Sequence, residues 1–372
     1  MKRVLVLLCD RANYGRLRPV MQSIKEHPDL QLLVACAGTM LLDRFKTVAH
    51  QVRADGFNVD AEFLCELEGS TSYSQAAGAC LAGYNFATTL YQLDPDCLLV
   101  IGDRYETGGC AYAAHQMNIP ICHLQGGEVS GTRDDGTRNM ITQLATWHVP
   151  ATREAAERIL WVRKPVSSDW LPQFGEHPQL LASGCPSSDL AAKITPCPNG
   201  DILACYHPNT DHPESSAHEA SEFCDALCLL ASEGRRVVLL WPNIDAGSGD
   251  IVKEMRWINH PRIELHKNFP PDEFMQQLAD CAVAVGNSSS FCRDSSFFGT
   301  PVVLVGDRQQ GREHAQNVMQ CAANRTEILA AVDAQLLHGR YEPSTLYGDG
   351  KVSERIAEGL ARVLCKTREV AA

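Results

Sequence analysis

The residues of this 372-residue chain that could do chemistry gather in short polar segments, each following an apolar run. Gly286-Asn287-Ser288-Ser289-Ser290 has the composition of a phosphate cradle, since small residues permit close backbone approach and hydroxyls supply donors. Asn and Ser are equally the residues of a helix N-cap, and composition leaves both readings open. Arg308 and Arg312, one apolar run later, add the positive charge that a phosphate needs. Asp103-Arg104 places a proton-transfer group beside a phosphate-pairing guanidinium, or else forms a salt bridge capping the next helix. Asp134 and Asp135 precede a helical pattern, and at least one of them reads as its N-cap. His207, followed by proline, stands at a strand end, where an imidazole either meets a ligand or serves the fold. The group His207, His212 and His218 with Asp211, Glu214 and Glu219 matches no zinc spacing, so no metal is expected. Neither G-x-x-x-x-G-K-[ST] nor G-x-G-x-x-G occurs, which excludes P-loop and ordinary dinucleotide sites at the level of motif.

These segments must be positioned by the apolar runs before them. Strands are predicted at 4–8, 32–37, 97–101, 119–124 and 148–150, then at 180–183, 202–206, 237–241, 282–285 and 302–305. Helical patterns cover 17–26, 73–93, 138–145 and 216–233, and 352–364 reads as a last helix before a charged tail. Val-, Ile- and Leu-rich strands separated by helices indicate parallel sheets buried on both faces. The alternation occurs twice, around a Pro-bearing stretch at 186–198. The fold class is therefore α/β, with two doubly wound domains facing each other and the ligand in the crevice at the strand C-termini.

Composition fits this reading. Acidic residues number 45 against 33 basic, a formal net charge of −12, which disfavours a nucleic-acid partner while allowing a local basic pocket. No apolar run approaches the roughly 20 residues of a membrane span. The basic then apolar opening, Met1 to Leu8, is short and soon meets Asp10 and Arg11, so it reads as a first strand rather than a signal peptide. None of the 16 cysteines forms a C-x-x-C pair and many sit in apolar runs, as expected of reduced structural thiols in a cytoplasmic protein.

Taken together, the loops resemble the UDP-N-acetylglucosamine 2-epimerase family, in particular its hydrolysing branch, which forms N-acetylmannosamine for sialic acid synthesis. The matching segments are 10–14, 102–106, 123–135, Gly184-Cys185-Pro186-Ser187, His207-Pro208, 242–248, 286–289, Phe298-Gly299-Thr300-Pro301, 306–312 and Tyr347-Gly348-Asp349-Gly350, in family order along nearly the whole chain. The second half is especially similar to the epimerase part of the animal bifunctional epimerase/kinase, with no kinase part after Ala372. The resemblance implies two Rossmann-like domains of the glycosyltransferase-B kind. Residues 1–186 would carry the sugar and acid/base groups, 187–350 the UDP site, and 351–372 a helix and tail packing back on the first domain.

It also implies a UDP-sugar in the cleft, no metal and no cofactor. The reaction would be anti elimination of UDP to a 2-acetamidoglucal, followed by hydration. By motif match Asp103 and Asp134 are the acid/base residues, while Arg138 and His207 hold or neutralise the diphosphate and sugar. Arg11, Arg104, His123, Asn243, Ser288, Ser289, Asp294 and Arg308 form the binding set, with Asp294 reaching the ribose. Three departures stand out. Gln125 replaces a Glu and cannot be a base, so that role passes to Glu128 or falls away; Phe291 and Asp294 replace Gly and Glu; Arg133 and Asn139 replace Ile and His. A 2,4-diacetamido sugar, a non-hydrolysing epimerase or a catalytically weak nucleotide-sugar sensor are the alternatives these departures raise. The family implies a homodimer or homotetramer, and Lys253 and Arg256 match positions linked to feedback by CMP-sialic acid.

Overall fold

The computed structural model describes residues 1–43, 48–162 and 180–366. Among these, two six-stranded parallel sheets are flanked by helices. The first sheet holds β1 (Lys2–Leu8), β2 (Leu30–Ala37), β3 (Ala61–Phe63), β4 (Cys97–Ile101), β5 (Ile121–Leu124) and β6 (Trp147–Val149). The second holds β7 (Ile202–Cys205), β8 (Val237–Leu240), β9 (Ile263–His266), β10 (Val283–Gly286), β11 (Val302–Val305) and β12 (Val318–Cys321). The helices of the first half are α1 (Arg11–Glu26), α2 (Val48–Ala54), α3 (Ser72–Leu93), α4 (Tyr105–Gln116), α5 (Asp134–Leu144) and α6 (Arg153–Val162). Those that follow are α7 (Ser187–Ala191), α8 (Ser216–Ser232), α9 (Ser248–Trp257), α10 (Pro271–Asp280), α11 (Ser289–Arg293), α12 (Arg325–His338) and α13 (Val352–Lys366).

Strand order is β3-β2-β1-β4-β5-β6 in one sheet and β12-β11-β10-β7-β8-β9 in the other. Order reverses between β1 and β4, and again between β7 and β10, so each sheet has a switch point where a crevice opens at the strand C-termini. The loops after those four strands begin at Cys9, Gly102, Tyr206 and Asn287, which are the polar segments singled out above. The doubly wound, two-sheet architecture expected from the alternation of apolar runs is what forms.

The differences are local and have reasons. Strands β3, β9 and β12 carry no buried apolar run, and all three are sheet edges. Their segments Ala-Glu-Phe, Ile-Glu-Leu-His and Val-Met-Gln-Cys mix polar and apolar residues because one side of an edge strand faces solvent. The strand expected at 180–183 does not form; Leu180 makes one parallel bridge to His148. Helix α1 starts at Arg11, six residues before the apolar pattern, because Asp10 caps it by accepting from the Asn13 amide at 2.7 Å. Asp134 and Asp135 are not N-caps: both lie in the first turn of α5, and the cap position is Arg133, with no side-chain cap. The tail expected beyond the last helix lies outside the described residues.

Helix α13 returns to the first sheet. Ile356, Leu360 and Leu364 join the core formed by Val4, Leu17 and Met21, on the face that α1 covers. Its N-terminus is held by Asp189 of α7, whose carboxylate accepts from the amides of Val352 and Ser353 at 2.9 and 2.7 Å. Leu360 is fully buried in that core. Leu360→Ala should therefore destabilise the protein by about 2–5 kcal/mol, measured by urea unfolding. A loss below about 1 kcal/mol would show that α13 is an ornament rather than part of the core.

Candidate functional site

A cleft of about 780 Å³ runs between the C-terminal ends of the two sheets. Asp10, Arg11, Arg16, Asp103, Arg104 and Asp134 line it from the first half, and His207, Asn243, Asp245, Ser288, Ser289, Asp294 and Arg308 from the second. The volume suits a ligand larger than a simple sugar. Gly286 shapes the floor: its φ is +141°, and a Cβ there would stand 1.8 Å from the Cys205 carbonyl oxygen. Only glycine lets β10 pass this close to β7 before the chain turns into Ser288 and Ser289. Ser288 occupies the N-cap position of α11 without making a side-chain cap bond, and its side chain belongs to the cleft lining.

Two carboxyl groups of the cleft are driven in opposite directions. Burial would raise Asp103, but the guanidiniums of Arg138, Arg312 and Arg16 outweigh it and hold the group well below the usual carboxylate range. Arg138 donates directly to Asp103 and to Asp135, and gives a further bond to the Glu128 carbonyl at 2.7 Å. Asp134 is pushed up to about 7, first by burial and then by the negative charges of Asp103 and Asp245, with Arg308 and Arg104 opposing. One carboxyl is thus ionised throughout the neutral range while the other titrates within it, the pattern of a divided acid/base pair.

Several arginines expected to meet a ligand are already engaged. Arg138 is buried against Asp103 and Asp135, so it holds a carboxylate in the ionised state rather than facing a diphosphate. Arg104 forks onto Glu106 at 2.8 and 3.1 Å and reaches Asp245 at 2.5 Å, so its ion pairs are with Glu106 and Asp245 and not with Asp103, while its side chain remains in the cleft lining. Arg11 donates to the carbonyls of Trp241 and Lys267, tying α1 to the ends of β8 and β9. Arg308 donates to the Pro208 carbonyl at 3.1 Å and the Asn287 carbonyl at 3.3 Å, and remains on the cleft wall.

The histidines divide by role. His207 lines the cleft, and its Nδ1 accepts from the Asn243 amide at 3.0 Å, which leaves the proton on Nε2. Burial first, then the charges of Arg308, Arg11 and Arg104, holds it well below the ordinary histidine value. It therefore offers the cleft a neutral hydrogen bond. His123, expected in the binding set, is absent from the cleft lining: fully buried, it donates from Nε2 to the Gly102 carbonyl at 2.8 Å and accepts at Nδ1 from Thr142 at 3.2 Å. It positions the backbone next to Asp103. His212 is exposed beside Glu214, so the histidine cluster does not converge.

Gln125 takes a left-handed backbone, φ +63°, and its amide oxygen accepts from Arg16 and from Arg293 at 3.0 Å. Glu128, the proposed substitute base, is clamped between Arg293 at 3.2 Å and Arg312. Neither is placed to accept a proton freely. Asp294 accepts from Ser187 at 2.6 Å and faces the cleft. Phe291 does not crowd it, being turned into the core of the second sheet with Cys292, whose thiol burial raises to about 12. Arg133 pairs with Asp211 at 3.3 Å on the exposed rim. Lys253 and Arg256 lie on the exposed side of α9, Arg256 over the Trp241 ring at 5.8 Å, outside the cleft lining. Arg16, Arg293 and Asp245 were not found by sequence reasoning. Arg16 lies just before the predicted helix 17–26, and Arg293 lies in the five-residue helix α11 that no pattern announced. Asp245 acts through Arg104 on the other half as well as through Asn243 and Arg308. Among the described residues, no three His, Cys, Asp or Glu side chains are grouped to hold a metal, and no helix is long and apolar enough to cross a membrane.

Comparison with known proteins agrees with this geometry. A UDP-N-acetylglucosamine 2-epimerase from Neisseria meningitidis bound to UDP-GlcNAc superposes with a TM-score of 0.76 over 97% of this chain and 100% of its own, at 15% identity. A UDP complex of the Staphylococcus aureus protein MnaA does so at 0.76 over 98% and 97%, with 17% identity. A Legionella pneumophila UDP-N,N'-diacetylbacillosamine 2-epimerase (hydrolyzing) is 29% identical over 95% of this chain and 94% of its own. A UDP-N-acetylglucosamine 2-epimerase of N. meningitidis is 26% identical over 96% and 94%. The sequence profile described as UDP-N-acetylglucosamine 2-epimerase matches residues 22–361, and the chain belongs to that family.

Proposed function

We propose that this protein is a hydrolysing 2-epimerase of UDP-N-acetylglucosamine or a close N-acetylated relative, releasing UDP and the free 2-epimeric sugar. The observation that carries the reading is the divided pair of cleft carboxyls, Asp134 titrating near neutrality and Asp103 held ionised. Residues 1–186 would supply proton transfer and 187–350 the UDP site. Asp134, the better base of the two because its pKa is raised, takes the C2 proton as the C1–oxygen bond breaks and UDP departs. Asp103 stabilises positive charge developing at C1 and orients the water whose oxygen bonds there. A solvent proton adds to C2 on the face opposite the one deprotonated, and the protons lost by that water and held by Asp134 return to solvent. Arg308, Ser288, Ser289 and the neutral His207 receive the diphosphate, and Asp294 faces the ribose.

The Legionella relative, which is named for a diacetylated substrate, favours a 2,4-diacetamido sugar as the second reading. Incubation with UDP-linked mono- and diacetamido hexoses, with NMR of the products, distinguishes both from a non-hydrolysing outcome, in which the sugar stays on UDP. Finding neither UDP release nor epimerisation with any of them would remove the catalytic reading and leave a nucleotide-sugar sensor.

Three outcomes are expected. Because Asp134 is active when ionised, kcat/KM should rise with pH through about 7, and Asp134→Asn should abolish that limb while lowering kcat at least about 100-fold. A flat profile in the parent enzyme would reassign the base. Asp103→Asn should also lose at least about 100-fold in kcat, and near-normal turnover would show that its charge is dispensable. Gln125→Glu should change kcat less than about tenfold, because a carboxylate between Arg16 and Arg293 would be paired rather than basic. A much larger gain would mean that the parent chain lacks a base at this position.

A further inference from the structure

Arg133 and Asp211 meet in a contact that the reaction above does not use. Helix α5 begins with Asp134 and Asp135, and its N-cap position is taken by Arg133, at φ −55° and ψ −19°, with no side-chain cap. A helix start of this kind leaves amides in need of acceptors. Asp135 serves the segment before it, its carboxylate accepting from the amides of Ser130 and Gly131, each at 2.9 Å. The Arg133 amide is served from the other half of the molecule. Oδ1 of Asp211 accepts from it at 3.0 Å and from the Arg133 Nε at 3.3 Å. Asp211 is itself held in place: its amide donates to Asn209 at 3.0 Å, and Asn209 donates to Asp307 at 2.8 Å, beside Arg308. At the other end of this loop His207 donates its amide to Asn287 at 2.7 Å and lines the cleft. One short segment, 207–211, therefore runs from the cleft wall to the start of α5.

We infer that Asp211 is a positioning residue for Asp134: reaching across the cleft, it docks the start of α5 on the second half and fixes where the Asp134 carboxyl stands. The inference rests on the reading of Asp134 as the base. A plain rim ion pair is the competing account, and with side chains 51% and 34% exposed such a pair would contribute little. Two observations set this contact apart. Its shorter bond goes to the main-chain amide of the residue adjoining Asp134, whereas a rim pair needs only the guanidinium. A carboxylate at a helix N-terminus is also favoured by the helix dipole, and here that carboxylate is supplied by another domain. The environment of Asp134 spans the same gap. It faces Asp103 and Arg104 of the first half and Asp245 and Arg308 of the second, so a shift of α5 against the second half alters its surroundings at once. The isoleucine that relatives carry in place of Arg133 would keep the amide bond, and the guanidinium of this chain adds a second bond to the same oxygen.

Two measurements on the full chain test this: kinetics with UDP-N-acetylglucosamine across pH, and amide hydrogen exchange over residues 130–140. Asp211→Ala should lower kcat at least about 10-fold with KM changed less than about threefold. The limb of kcat/KM should move below about 7, because an undocked Asp134 gains solvent and draws away from Asp245. Exchange over 130–140 should quicken at least about 10-fold, with β4 and β7 exchanging as in the parent. Asp211→Asn, whose amide oxygen still accepts from the Arg133 N–H, should keep kcat within about threefold, and so should Arg133→Ile, which keeps that N–H. If Asp211→Ala does not fold, Arg133→Pro removes the amide donor at a φ that proline adopts, and should show the same loss of kcat and faster exchange. Unchanged exchange in Asp211→Ala, or an unmoved pH limb with near-normal kcat, would overturn the inference. So would an Arg133→Ile variant as impaired as Asp211→Ala, which would reduce the contact to its ion pair. A parent chain without turnover, in which Asp211→Ala still quickens exchange, would instead overturn the function proposed above and leave the docking of α5 standing.

Discussion

Glu128 of the first half, buried between Arg293 and Arg312 of the second, is the contact on which the site depends. Charges taken out of water persist only where opposite charge and hydrogen bonds replace the solvent, so such a cluster is stable in one relative placement of the two sheets. Arg104–Asp245 repeats the device farther along the cleft, at 2.5 Å, and Arg11 adds bonds to the backbone carbonyls of Trp241 and Lys267, just past β8 and β9. These buried polar groups gain ion-pair partners across the gap, which favours this placement of the two sheets with their switch points facing each other.

The same lattice sets the chemistry. Asp103 is ionised because Arg138 is buried against it, and Asp134 is raised because Asp103 and Asp245 are negative nearby. A guanidinium that stabilises one carboxylate thereby increases the repulsion felt by the next. The separation of the two carboxyls is a collective property of the packing. It also changes the meaning of the arginines. Of those that converge on the cleft, most are neutralised by partners inside the protein, which is how a chain of net charge −12 can gather them there. Arg16, which donates to the neutral oxygens of Ala12 and Gln125, and Arg308, 3.8 Å from Asp245, stand on the cleft wall where a diphosphate would enter.

The sequence by itself determined the architecture. Central strands such as Leu5–Leu8 in β1 and Val302–Val305 in β11 are buried on both faces, and that requires unbroken apolar runs that can be read directly. The positions of Asp103, Asp134, His207 and Ser288 at the C-terminal ends of strands followed from those runs, because loop placement in a doubly wound sheet is a matter of chain order. Edge strands β3, β9 and β12 were hidden because solvent on one side removes the apolar signature. What each site residue does was decided only by tertiary structure. Arg104 is paired with Glu106 and Asp245, Arg138 supports Asp103, and His123 holds the Gly102 carbonyl instead of a ligand. Glu106 apart, these partners lie 21 to 141 residues away and leave no local pattern, and charge and proton position depend on them more than on residue type.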